Sequence, residues 1–139
     1  MLGSITYQSL GISARRILDA LLHEHMCHGG AENGNLGATY EQLERWGVTA
    51  ADIRKGLAEL EATAFVVRTA QGYFSLGGSV PSRYRLTWIP TGKGASFKPA
   101  TNDWADVIDD LARTGIGNVT AARKWLRTEV AEHARGNRA

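Results

Sequence analysis

Apolar residues in this chain recur at three- and four-residue spacing as far as Leu60, and from Phe65 onward they run together or alternate. A helix returns to the same face every 3.6 residues and a strand every second residue, so helices must come first and strands next. Ile17, Leu18, Leu21, Leu22 and Met26 stripe one face of a helix over residues 14–27, with Ser13 as N-cap and Gly29-Gly30 as its stop. Residues 28–37, rich in Gly and Asn, predict a loop whose far end is pinned to the core by Leu36, through a short strand. Thr39 then caps a short helix over residues 40–46, with Tyr40, Leu43 and Trp46 inward, and Gly47-Val48 turns the chain. Thr49 caps a third helix, residues 49–63, in which Asp52 is spaced to reach back to the Thr49 amide and Ile53, Leu57 and Leu60 form the buried line. Short helix, glycine turn and capped longer helix make the pattern of a helix–turn–helix.

The β-branched and aromatic runs Phe65-Val66-Val67-Arg68-Thr69 and Tyr84-Arg85-Leu86-Thr87-Trp88-Ile89 predict two antiparallel strands, ended by Pro90. Between them residues 71–83 carry Gly72, Gly77, Gly78 and Pro81 and read as a long hairpin loop, with Tyr73 and Phe74 expected to pack under the wing into the core, the alternative being presentation at its tip. Residues 91–102 have the composition of a tether. A helical hairpin over residues 103–135 follows. Trp104, Val107, Ile108 and Leu111 stripe its first helix, whose first turn holds Asp103; Val119, Ala122, Leu126 and Val130 stripe its second. The last four residues, GNRA, are expected to fray. The expected fold class is therefore α+β.

Charge is segregated along the chain. Between Glu61 and Asp103 there is no acidic residue, yet this stretch holds Arg68, Arg83, Arg85, Lys93 and Lys98. Elsewhere acids outnumber bases, fourteen to eleven, so a net charge of +2 conceals a local excess of positive charge that suits a polyanionic partner. No apolar run approaches the roughly 18–20 residues needed to span a bilayer, and the start lacks a basic region followed by an apolar core, so a cytoplasmic location and no membrane partner are expected. A single cysteine, Cys27, forbids an internal disulfide. His23, His25, Cys27 and His28 cluster, but tetrahedral zinc needs four converging ligands and no further Cys or His follows until His133; no metal is expected. With no phosphate-cradling loop, no nucleophile elbow and no carboxylate pair in an apolar setting, neither an enzyme, a cofactor nor a small-molecule ligand is expected.

The run ARRILDALLHEHMCHGGAENG, followed by ATYEQLERWGV and closed by YRLTWIPT, resembles the winged helix-turn-helix superfamily over residues 9–90. Within it the chain is similar to small winged-helix proteins of bacterial plasmids and mobile elements, and to N-terminal domains of plasmid and phage replication proteins. The resemblance implies that helix 49–63 enters the major groove of double-stranded DNA while the wing, 66–89, reaches an adjacent groove or the phosphates. Thr49, Ala51, Arg54, Lys55 and Ala58 are then the helix contacts, with Arg54 the candidate reader of guanine. Arg68, Arg83 and Arg85 become wing contacts with no carboxylate competing for them, and Lys93 and Lys98 a second phosphate contact. A sequence-specific transcriptional regulator, bound to the nucleoid, is the expected role. A replication-initiation or recombination accessory factor, and an interaction module that never touches DNA, are the alternatives. The C-terminal helices have three readings: homodimerisation through Trp104, Val107, Ile108, Leu111, Trp125, Leu126 and Val130; docking on the domain; or DNA contact through Arg123, Lys124 and Arg127. The sequence departs from the family at Ala64, where a glycine usually ends the recognition helix; alanine fits easily there only at negative φ.

Overall fold

The computed structural model describes residues 1–136, apart from the side chains of Phe74, Ser75 and Ser79. The expected burial of Phe74 and the expected fraying beyond residue 136 therefore lie outside the described residues. The first element, helix α1 (Ile5–Ser9), is one that five residues of sequence are too short to announce. Ser4 starts it by accepting a hydrogen bond from the Tyr7 N–H, and the Ser9 hydroxyl donates back to the Thr6 carbonyl at 2.7 Å. Helix α2 (Ile12–Cys27) begins ahead of its expected start, with Gly11 rather than Ser13 as N-cap. Gly11 has no side chain to cap with, and Glu59 from a later helix accepts its N–H instead. Burial raises the Glu59 pKa, while Lys55 and this hydrogen bond hold it down in part.

Helix α3 (Tyr40–Arg45) opens with a complete capping box: the Gln42 N–H donates to Thr39 Oγ1 at 3.2 Å, and the Thr39 N–H donates to Gln42 Oε1 at 2.9 Å. Only Leu43 of α3 is buried; Tyr40 and Trp46, expected inward, are exposed. So short a helix turns one residue inward, and Val48 in the following turn fills the adjoining space. Helix α4 (Ala50–Ala62) follows. Its expected capping box does not form, because the Thr49 hydroxyl donates to Asp52 Oδ2 at 3.0 Å and caps no backbone group. Gly56 lets α4 press against α2: a Cβ there would lie 2.7 Å from Ile17 Cδ1 and 3.3 Å from the Ala14 nitrogen.

Strand β1 (Val66–Ala70) pairs antiparallel with β4 (Arg83–Leu86), Val66 opposite Leu86 and Arg68 opposite Tyr84. What the sequence reads as a loop between them contains a second ladder, β2 (Tyr73–Ser75) against β3 (Gly78–Val80). Tyr73 stands exposed on it rather than in the core. Strand β4 is shorter than the apolar run suggests. Beyond Leu86 the Thr87 N–H and hydroxyl turn to the carbonyls of Phe65 and Ala64, at 3.1 and 2.8 Å. Leu36 bridges to Tyr84 through two backbone hydrogen bonds, anchoring the loop as expected.

Ala64 ends α4 at φ +57°, in the left-handed region. A non-glycine residue costs about 1–2 kcal/mol there, against roughly 0.5–1 kcal/mol of extra chain entropy that a glycine loses on folding. Ala64→Gly is accordingly expected to stabilise the protein by about 0.5–1 kcal/mol, read as a higher urea midpoint at unchanged slope.

Residues 91–102 are not a tether. Thr91 and Lys98 exchange two backbone hydrogen bonds around a 3-10 turn, Gly94–Ser96, and the Asn102 N–H donates to the Thr87 carbonyl at 2.8 Å. Backbone pairing thus returns the chain to the sheet, and helices α5 (Asp103–Arg113) and α6 (Val119–Gly136) start from a fixed point. Trp104 stacks on Phe65 with ring centroids 6.2 Å apart, and α6 packs against α1 and α4. Leu111 and Leu126 are buried, and Trp104, Trp125 and Val130 pack against the core; Val107 and Ile108 are half-buried. The stripe assigned to dimerisation is therefore largely covered within one chain, because Trp104 stacks on Phe65 and α6 packs on α1 and α4. The described residues form an α+β arrangement of six helices and small antiparallel sheets, compatible with a winged helix. None of the described helices is long and apolar enough to cross a membrane.

Candidate nucleic-acid interface

The turn between α3 and α4 is held from three sides. Val48 is buried, Gly47 takes φ +83°, and Arg16 of α2 donates to the Gly47 carbonyl at 2.8 Å. This fixes the N-terminal end of α4, where Thr49, Ala50, Ala51, Arg54 and Lys55 are all exposed. Small residues at 50 and 51 leave that end slim, with Arg54 and Lys55 one turn further on. Neither cation forms an ion pair among the described residues, although Lys55 lies close enough to Glu59 to lower its pKa. The first turn of α4 has no side-chain cap; the Asp52 N–H donates to the Thr49 carbonyl at 2.9 Å, which leaves the N–H groups of Ala50 and Ala51 without a partner inside the helix.

Ala58, the remaining helix contact expected from the sequence, is buried at 6% exposure. The reason is a second neighbour. A wheel drawn around Ile53, Leu57 and Leu60 allows for α2 alone, but α6 also packs on α4 and widens its buried face. Only the first two turns of α4 are left to meet a partner, and these are the turns a groove-docked recognition helix uses.

The basic stretch changes more. Arg68 Nε donates to Glu61 Oε1 at 3.0 Å, its Nη1 donates to Gln71 Oε1 at 2.6 Å, and its guanidinium lies 6.0 Å from the Tyr84 ring centroid. Glu61 also meets His133 of α6 at 3.9 Å. Arg85 donates to Thr101 Oγ1 at 2.7 Å and sits 3.8 Å from Asp103. The expectation that no carboxylate competes for these arginines is thus wrong for two of three. The two acids that bound the acid-free stretch fold back onto it, because the end of α4 abuts β1 and residues 101–103 return beside β4. Arg83 differs: it donates to the Asn35 carbonyl at 3.3 Å, lies over Gly37, and has no carboxylate partner among the described residues. Lys93 and Lys98 are likewise exposed and unpaired among them.

The histidine-rich end of α2 does not converge. Cys27 Sγ lies 3.6 Å from a His23 ring nitrogen, His23 packs against Trp46, and His28 pairs with Glu24 at 2.9 Å. No group of three or more His, Cys, Asp or Glu side chains among the described residues is arranged to hold a metal.

Sequence reading missed Asn33. Its side chain, at 7% exposure, accepts the Leu86 N–H at 2.7 Å and brings Nδ2 within 2.9–3.2 Å of the Leu86, Ile89 and Pro90 carbonyls. It stands in for a missing strand beside β4 and sets the base of the hairpin. An asparagine in AENGN carries no signal that separates this role from an ordinary turn.

No protein-family model, no curated protein and no solved structure matches this chain.

Proposed function

We propose that the chain is a winged helix-turn-helix protein that binds double-stranded DNA, with the first two turns of α4 in the major groove and the β1–β4 hairpin on an adjacent groove or the phosphates. The observation that carries this reading is the N-terminal end of α4: rigidly held, slim, uncapped, and bearing Arg54 and Lys55 exposed without ion pairs. Arg54 has the reach and the paired donors to read guanine, and Lys55 neutralises a phosphate or reads a neighbouring base. Arg83, Lys93 and Lys98 supply the remaining phosphate contacts, whereas Arg68 and Arg85 support the hairpin through Glu61 and Asp103. A transcriptional regulator is the role this arrangement suits best.

The internal pairing of Arg68 and Arg85 favours a second reading, an interaction module with no DNA contact. In vitro selection from a random duplex pool separates the two. The first reading expects a recovered motif, and Arg54→Ala is expected to weaken binding to it by about 1–3 kcal/mol while relaxing the sequence at one position. A pool that never converges contradicts sequence-specific binding.

The arginines are expected to divide under salt. Arg83→Ala removes a phosphate contact and flattens the slope of log affinity against log salt by about 0.9. Arg68→Ala leaves the slope unchanged and lowers folding stability, since it unpairs a half-buried Glu61.

A further inference from the structure

Residues 72–82 contain no charged side chain. On the ladder they form, Tyr73 and Val80 face each other and both are exposed, and Leu76 at the turn is fully exposed. Sheet edges on soluble proteins are normally guarded by charge or twist, and two three-residue strands are not independently stable in water. An apolar, uncharged hairpin held out this way is suited to a partner that covers it. The surroundings narrow the choice of partner. Arg83, which has no carboxylate partner among the described residues, flanks the hairpin, while Arg68 is paired with Glu61 and Arg85 lies beside Asp103. An apolar tip with an unpaired arginine at its base matches a surface that is anionic outside and apolar within.

Duplex DNA has that profile: phosphates outside, and an apolar base stack reached through the minor groove, where leucine is among the side chains that act as wedges. Ser75 pairs with Gly78, so only Leu76 and Gly77 form the tip.

We propose that the β2–β3 hairpin enters the minor groove and seats Leu76 between two base pairs, unstacking and unwinding the duplex. This rests on the DNA-binding reading given above. A closed-circular plasmid tests it: the plasmid is relaxed by a topoisomerase in the presence of the protein, stripped, and its linking number compared with a protein-free control. Wild type is expected to lower the linking number. Leu76→Ala, at a fully exposed position, should still shift the plasmid on a gel, with affinity reduced about tenfold, and lose the unwinding; Leu76→Phe should retain it. Unwinding by Leu76→Ala equal to wild type overturns the wedge and leaves the DNA reading standing. Failure of wild type to shift the plasmid removes the DNA reading and the wedge with it. Leu76-dependent flotation with phosphatidylcholine–phosphatidylglycerol vesicles, without plasmid unwinding, makes the tip a lipid-seeking one and also overturns the proposal.

Discussion

Phe65→Ala is expected to remove about 3–5 kcal/mol of folding free energy. Phe65 is fully buried where α1, the segment after β4 and α5 meet. The Tyr7 ring of α1 meets it edge-on at 6.0 Å, Trp88 meets it edge-on at 6.5 Å, and Trp104 of α5 stacks on it at 6.2 Å. The substitution therefore opens a cavity and withdraws three aromatic partners at once, each worth about 0.5–1.5 kcal/mol beyond the area it buries. For a domain whose whole stability is of order 5–15 kcal/mol, such a loss is a large fraction. Equilibrium urea unfolding measures it, and a red shift of tryptophan emission before global unfolding reports Trp104 lifting from the core. A loss below about 1 kcal/mol would show that Phe65 does not join the C-terminal helices to the rest of the fold.

Asn33→Ala comes next, at about 3 kcal/mol, through hydrogen bonding rather than packing. It strips the Leu86 N–H of its acceptor and three carbonyls of a shared donor, in a place where water does not reach the buried amide. An unsatisfied buried backbone group costs about 1–3 kcal/mol, and more than one is created. Asn33→Asp separates the two halves of the interaction. It keeps an acceptor for Leu86 but turns an oxygen toward carbonyl oxygens, so it is expected to be no better than alanine at neutral pH. An aspartate variant as stable as the wild type would place the whole contribution in the Leu86 N–H.

Both residues show where sequence reading succeeds and where it stops. Periodicity located α2, α4 and the β1–β4 pair, because Ile17, Leu21, Ile53 and Leu60 repeat on one face and nothing in tertiary structure needed to override them. Leu36 was legible as an anchor, being the one large apolar residue in a polar loop. Tyr40 and Trp46 were not, since an aromatic at helical spacing looks inward whether or not the core has room for it. Ala58 failed for a related reason: burial by α6 is a long-range fact that a wheel of α4 cannot contain. Residues 91–102 looked like a tether because Gly, Lys and Thr signal no core contact, yet their pairing uses only backbone groups, and composition is silent about those.

The charge pattern carries the sharpest lesson for the candidate interface. Five cations lie in a stretch with no acid, but linear separation is not spatial separation, and Glu61 and Asp103 return to Arg68 and Arg85. Of the cations assigned to DNA, those left free to meet phosphate are then Arg54, Lys55, Arg83, Lys93 and Lys98, which come from α4, the hairpin and the loop after it. DNA binding by this set is the central claim. The direct test is fluorescence anisotropy of a labelled random-sequence duplex titrated with the intact protein across a series of salt concentrations. The account predicts binding at low salt that weakens with a log–log slope between about −3 and −5, as expected for that many phosphates neutralised. No binding at low salt, or a slope near zero, would contradict it.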